Sequence, residues 1–186
     1  MMVHDFIEGI VPVSAGLRER LDSILKPKIF GRKEFLLKEG QVCDKIYFVE
    51  RGLVRIYYLN DGVEICSGLL LEGGFMISVE SFFRRQKSYE FIQAVEETEV
   101  WYISFDELEA VYRDFPEFNI VGRKLITEYY IRSEERNYVL RRLSAREKYR
   151  YFQELFGANT VRIPRKDIAS YLGINLETLS RLSRKI

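Results

Sequence analysis

The sequence predicts an α+β chain: a sandwich or barrel of short strands, then a long helix, then a C-terminal helix-turn-helix. Three observations carry this. Between Ile29 and Ile103, β-branched and aromatic runs are separated by Gly, Asn or Asp. From Glu117 to about Arg142 there is no Pro, and no Gly after Gly122. The last stretch, residues 141–186, is strongly basic. With 186 residues, 47% of them apolar and 31% charged, the chain can bury a real core and is not compositionally disordered.

Taken in order, Ser14 to Leu25 reads as a short helix with Ser14 as N-cap and Leu17, Leu21, Ile24 and Leu25 on one face. Strand-like runs follow at Lys45–Val49, Val54–Leu59, Val63–Cys66, Phe91–Val95 and Val100–Ile103, the spacing of a sandwich or barrel. Asn60-Asp61-Gly62 between two of them signals a tight hairpin, because such turns need positive φ. Ser104 and Glu107 fit a capping box, with Leu108, Val111, Tyr112 and Phe115 at helical spacing behind it. Pro116 then suits the start of a new helix. That helix carries two apolar stripes, Phe118, Val121, Leu125 and Tyr129 on one and Ile120, Thr127, Ile131 and Tyr138 on the other. Two stripes suggest two partners, its own barrel and a second chain, although Glu128, Arg132 and Glu135 interrupt a strict heptad. Ser144 and Glu147 form a second capping box, opening a helix with Phe152, Leu155 and Phe156 inward and Gly157 just past its end.

The net charge of +1 hides a division. Residues 1–140 hold 18 Lys/Arg against 24 Asp/Glu, whereas residues 141–186 hold 11 against 4. This is the asymmetry of a chain in which one module meets a polyanion; a merely solvated basic face has the same composition. The longest apolar runs, among them Ile46–Val49 and Val100–Ile103, are four residues, against the ~20 a membrane span needs. Asp5 and Glu8, with no Lys or Arg before Arg18, argue against a secretory signal. Cys43 and Cys66 without a C-x-x-C, and His4 as the one histidine, exclude a Cys/His zinc site and a disulfide framework, and point to a reducing cytoplasm. No P-loop, G-x-S-x-G or recognisable pair of carboxylates speaks for an enzyme.

Residues 165–184 read R-K-D-I-A-S-Y-L-G-I-N-L-E-T-L-S-R-L-S-R. A twenty-residue helix-turn-helix needs a small residue where the two backbones approach, met by Ala169, and Gly in the turn, met by Gly173. Its packing positions must be apolar, and Ile168, Leu172, Ile174, Leu179 and Leu182 satisfy them. Asn175 is a good N-cap for the second helix, whose exposed side then carries Glu177, Thr178, Arg181, Arg184 and Lys185.

Here the sequence resembles a known family. L-E-T-L-S-R, 176–181, is similar to the R-E-T-V-G-R core of the recognition helix in the cyclic-AMP receptor (Crp/Fnr) family of bacterial transcription regulators. L-L-K-E-G-Q-V-C-D-K-I-Y-F-V-E-R-G, Leu36 to Gly52, is similar to that family's cyclic-nucleotide-binding signature, with Leu37 the one misfit. The resemblance implies a β-roll (double-stranded β-helix) sensor over residues 1–115, a dimerisation helix over 116–142 using Val121, Leu125 and Tyr129, and a DNA-binding unit over 143–186. It implies a homodimer on near-palindromic double-stranded DNA, and admits RNA polymerase as a further partner. Glu177 and Arg181 would read bases, a carboxylate accepting from cytosine N4 and a guanidinium forking onto guanine. Thr178, Arg165, Lys166, Arg184 and Lys185 would meet phosphates. Leu176 stands where the family's first base-reading Arg is usual, so the target sequence is expected to differ.

The resemblance places the effector pocket at Phe75, Ser78, Glu80, Ser81, Ser88 and Tyr89. Ser78 stands at the family's ribose-binding Glu position and Ser88 at its phosphate-binding Arg position. Losing a charge-assisted phosphate contact costs about 1.5–3 kcal/mol, so cyclic AMP is disfavoured. Iron–sulfur relatives need about four cysteines and haem-sensing relatives a histidine, so neither cofactor is expected, leaving an unidentified small effector or none. The competing function is a nucleotide-binding regulatory subunit whose basic tail docks an acidic protein.

Overall fold

The computed structural model describes residues 3–184, so Lys185, one of the expected phosphate contacts, lies outside the described residues. Two short helices, α1 (Val3–Glu8) and α2 (Ala15–Ile24), open the chain. The Ser14 hydroxyl accepts from the Leu17 N–H, and Leu17, Leu21 and Ile24 are buried, as the periodicity predicts.

Eight strands follow: β1 (Lys26–Phe30), β2 (Phe35–Leu37), β3 (Lys45–Arg51), β4 (Val54–Asn60), β5 (Val63–Leu70), β6 (Phe75–Met76), β7 (Glu90–Ala94) and β8 (Thr98–Ser104). They pair antiparallel into two four-stranded sheets, ordered β1-β8-β3-β6 and β2-β7-β4-β5. Phe30, Leu37, Phe48, Val49, Val54, Ile92, Ala94 and Val100 bury their side chains in the core that these sheets share with α1 and α2. The five expected strands are all present. The sequence reading missed α1, β1, β2, β6 and the helix α3 (Val79–Arg84). The hairpin between β4 and β5 is the two-residue turn expected, with Asp61 and Gly62 both at positive φ (50° and 78°) and Asn60 opposite Val63.

The second capped helix, α4 (Phe105–Asp114), carries the complete Ser104–Glu107 box. It leads to α5 (Phe118–Arg142), 25 residues long. The first stripe of α5 packs on the chain's own core only at its start. Val121, assigned to a dimer seam, is 1% exposed within the barrel core cluster and so is already partnered; Leu125 is half-buried there, and Tyr129 is exposed. At the neighbouring Gly122 the Tyr112 ring lies against the helix backbone, where an added Cβ would stand 2.3 Å from its hydroxyl. The apolar side chains that α5 leaves exposed are Ile120, Ile126, Tyr129, Tyr130, Ile131 and Tyr138.

The C-terminal part comprises α6 (Ala145–Phe156), a 3₁₀ turn over Gly157–Arg162, α7 (Arg165–Leu172) and α8 (Leu176–Ser183). The Ser144–Glu147 box is complete. Phe152 and Phe156 point inward, but Leu155 is exposed and Tyr149 takes the inward place, because the helix buries its 149/152/156 face. These helices share one apolar cluster with Leu53, Cys66 and Leu69 of the barrel.

Gly52, between β3 and β4, is the position least able to change. Its φ is +115°, and a Cβ there would come within 2.7 Å of the Thr98 Cα and 2.8 Å of the Glu97 carbonyl oxygen, both backbone atoms that cannot swing aside. Gly52→Ala should therefore lower unfolding stability by about 3 kcal/mol or more, read from the shift of the urea midpoint. A midpoint unchanged from the parent chain would show that this turn is not constrained.

Candidate functional site

Helices α7 and α8 meet through the residues the spacing predicted. Ile168, Ala169, Leu172 and Leu179 are buried, with Ile174 and Leu182 packed against them. Gly173 turns the chain at φ +61°, a left-handed conformation that glycine adopts without strain. Asn175 accepts the Thr178 N–H at 2.7 Å and starts α8. Its outer face is an open groove lined by Leu176, Glu177, Ser180, Arg181 and Arg184. Glu177, Arg181 and Arg184 are exposed together on this surface, and Thr178 is half-buried.

Two of the expected phosphate contacts have partners inside the chain. Arg165 donates to the Ser180 and Ser183 hydroxyls, both at 3.1 Å, and so lies along α8. Lys166 Nζ is 3.0 Å from Glu64 Oε2 on β5. Much of the basic tail is matched in this way. Arg162 pairs with Glu72 at 2.6 Å and with Glu96, both from the barrel. Partial burial opposes ionisation of Glu72, yet the Arg162 guanidinium and the Gly52 N–H outweigh it and pull the carboxyl down to about 2.

The joint between barrel and tail is built on a residue that sequence reasoning missed. Arg55 sits in β4 between Val54 and Ile56, and its side chain is 9% exposed. Its guanidinium donates to Asp167 at 2.9 Å, to Glu64 at 2.7 and 3.3 Å, and to Gln93 Oε1 at 3.0 and 2.7 Å. It also stacks 4.2 Å above the Tyr57 ring. A charged residue inside an apolar run was the available signal. Beside it, the Cys66 N–H donates to Ser170 Oγ at 2.8 Å, and Arg136 of α5 donates to the Cys66 and Tyr171 carbonyls.

The expected effector residues divide. Ser78 and Ser88 are buried and 3.0 Å apart, and they meet around Glu90, which sequence reasoning did not single out. Ser78 donates to Glu90 Oε2 at 2.7 Å, Ser67 donates to Oε1 at 3.2 Å, and Ser88 Oγ lies 2.9 Å from the Glu90 N–H. Among the described residues no Lys or Arg forms an ion pair with Glu90. Tyr89 lies beside it, edge-on to Tyr58 at 6.1 Å. Partial burial first, and then the Glu90 charge, raise the phenols of both Tyr89 and Tyr129. The other members are corrected. Phe75 packs into the core against Phe6 and Phe48, at 5.0 and 4.9 Å. Ser81 is spent on the backbone, accepting from the Cys43 N–H and donating to the Gln86 carbonyl. Glu80 is on the surface, 3.0 Å from Arg84. Among the described residues no cluster of His, Cys, Asp and Glu could hold a metal ion, and no helix is long and apolar enough to cross a membrane.

Residues 27–115 match the cyclic nucleotide-binding domain family. Over 177 residues the chain is 26% identical to the anaerobic regulatory protein of Pasteurella multocida, covering 88% of this chain and 64% of that protein's length. The regulatory protein HlyX of Actinobacillus pleuropneumoniae is likewise 26% identical, with 88% of this chain and 72% of HlyX covered. Among solved structures, FixK2 from Bradyrhizobium japonicum superposes with a TM-score of 0.74 at 23% identity, covering 87% of this chain and 84% of that one. A crp/fnr-family chain from Eubacterium rectale gives the same TM-score at 18% identity, covering 96% and 87%. The matched domain, the likeness to these regulators across almost nine-tenths of the sequence and the shared fold make the chain similar to regulators of the Crp/Fnr family.

Proposed function

We infer that the chain is a cytoplasmic, homodimeric, sequence-specific DNA-binding transcription regulator. The observation that carries this is the outer face of α8, where Glu177, Arg181 and Arg184 stand exposed together on a helix capped by Asn175 and anchored by Leu179. The relatives' names, anaerobic regulatory protein and regulatory protein HlyX, support the same reading. In it, residues 1–115 are the sensor, 116–142 the dimer helix and 143–186 the DNA-binding unit. The exposed Ile120, Ile126, Tyr130 and Ile131 supply a better dimer seam than Val121 does. A dimer would place two α8 helices about one DNA turn apart, ~34 Å, and so require a near-palindromic site.

The sensor in this reading does not answer to cyclic AMP. The Glu90 carboxylate already occupies the serine donors, and a cyclic phosphate brought to them would meet a like charge. A ligand shifts a two-state protein only through differential affinity, and this pocket offers an anion little affinity in either state.

Two measurements test the reading. A duplex is first selected from a random pool; Arg181→Ala should then cost ~1–3 kcal/mol on that duplex and relax its preference at one base pair per half-site. Equal weakening on selected and scrambled duplexes would make Arg181 a phosphate clamp instead. Calorimetric titration with cyclic AMP should show no saturable heat up to ~100 μM, a Kd worth about −5.5 kcal/mol. Micromolar binding that tightens DNA binding would overturn the sensor reading.

A further inference from the structure

Strand β5 is an edge strand, paired with β4 on one side only. On its other side lies α7, which satisfies the exposed edge with side chains in place of a further strand. Ser170 Oγ accepts the Cys66 N–H at 2.8 Å and donates to the Glu64 carbonyl at 3.3 Å. The first turn of α7 sits over this edge and contributes Asp167, 3% exposed, to the Arg55 pair. The next outward group on the same edge is the Glu64 carboxylate. Its Oε2 atom receives Arg55 Nη1 at 2.7 Å and Lys166 Nζ at 3.0 Å. Hydrogen bonding from Arg55, against partial burial, and then from Lys166 holds this carboxyl below the usual range, so it stays anionic at neutral pH.

An oxyanion 3 Å from a lysine ammonium, beside the N-terminal turn of a helix, is also the arrangement a DNA phosphate makes with a docked helix. Lys166 is the residue that the DNA-binding reading assigns to phosphate, and in this structure a carboxylate of the same chain holds it. We propose that Glu64 is an intramolecular stand-in for a DNA phosphate, so that the carboxylate at the barrel edge and the DNA backbone compete for the Lys166 ammonium while α7 stays docked. DNA must displace Glu64 from Lys166, and a carboxylate left beside the phosphates would repel them. The competition is modest by construction, because Lys166 is 60% and Glu64 39% exposed, and exposed pairs are worth little. It therefore tunes affinity, while the buried Arg55–Asp167 pair continues to hold the helix in place. This inference rests on the DNA-binding reading above.

The test uses the full chain with the selected duplex and a scrambled one, at several salt concentrations. Glu64→Gln should tighten binding about three- to fivefold on both duplexes, the scale of a surface ion pair. It should also steepen the slope of log K against log salt by roughly one unit per protomer, as one more phosphate contact is completed. In a Lys166→Ala background the same change should give no gain. Glu64→Asp keeps the charge and shortens the reach; it should act in the same direction and covers the case in which the Gln variant loses its fold. Unchanged or weaker binding by Glu64→Gln, or an equal gain without Lys166, would overturn the proposal while leaving DNA binding intact. A parent chain that selects no duplex would instead overturn the DNA-binding reading, and this inference with it.

Discussion

A guanidinium and a carboxylate buried between barrel and tail set the position of everything after α5. Arg55 is 7% exposed and Asp167 3%, and taking such charges out of water costs several kcal/mol per ion unless each polar atom finds a partner. Arg55 achieves this through Asp167, Glu64 and Gln93, with its flat face on Tyr57; Gln93 in turn is oriented by donating to the Lys33 carbonyl at 2.9 Å. Displacing α7 would separate the pair and leave a buried charge unpaired, at a cost of about 3–5 kcal/mol. With α7 fixed, the glycine turn at 173 fixes α8, and the orientation of the outward face of Arg181 and Arg184 follows.

Charge segregation along the chain has two structural outcomes. Where the tail meets the body, opposite charges are matched: Arg162 with Glu72 and Glu96, Lys166 with Glu64. Where α8 faces solvent, Arg181 and Arg184 remain exposed. The basic excess is thus spent partly on docking and partly on an outward patch, a distribution that composition alone could not separate. The pocket shows the same economy. The Glu90 carboxylate takes the hydrogen bonds that Ser78 and Ser67 offer, while Ser88 donates to Ser78 Oγ and the Glu90 carbonyl.

What was legible in the sequence is what depends on neighbours a few residues away. Both capping boxes, the Asp61-Gly62 turn and the Gly173 turn are local hydrogen-bond or dihedral requirements, and each is met as written. The packing positions of α7 and α8 were legible for the same reason. Strand β1 was hidden because four of its five residues are exposed on a sheet edge, which erases alternation; β2 and β6 are three and two residues long. Val121 was misassigned because it packs into the barrel's core cluster, a long-range contact that periodicity does not encode. Phe75 and Ser81 were misplaced for a similar reason, as alignment to a pocket gives position along the chain but not which way a side chain turns. Arg55 and Glu90 needed the three-dimensional fold, since their partners lie up to 112 residues away in the first case and across strands in the second.

Recognition of a near-palindromic site requires that two chains present two α8 helices to one duplex. Sedimentation velocity of the chain at micromolar concentration, alone and with its selected duplex, measures this directly. A dimer in free solution and a complex of two chains on one near-palindromic duplex are expected. A monomer that remains a monomer on DNA would contradict it.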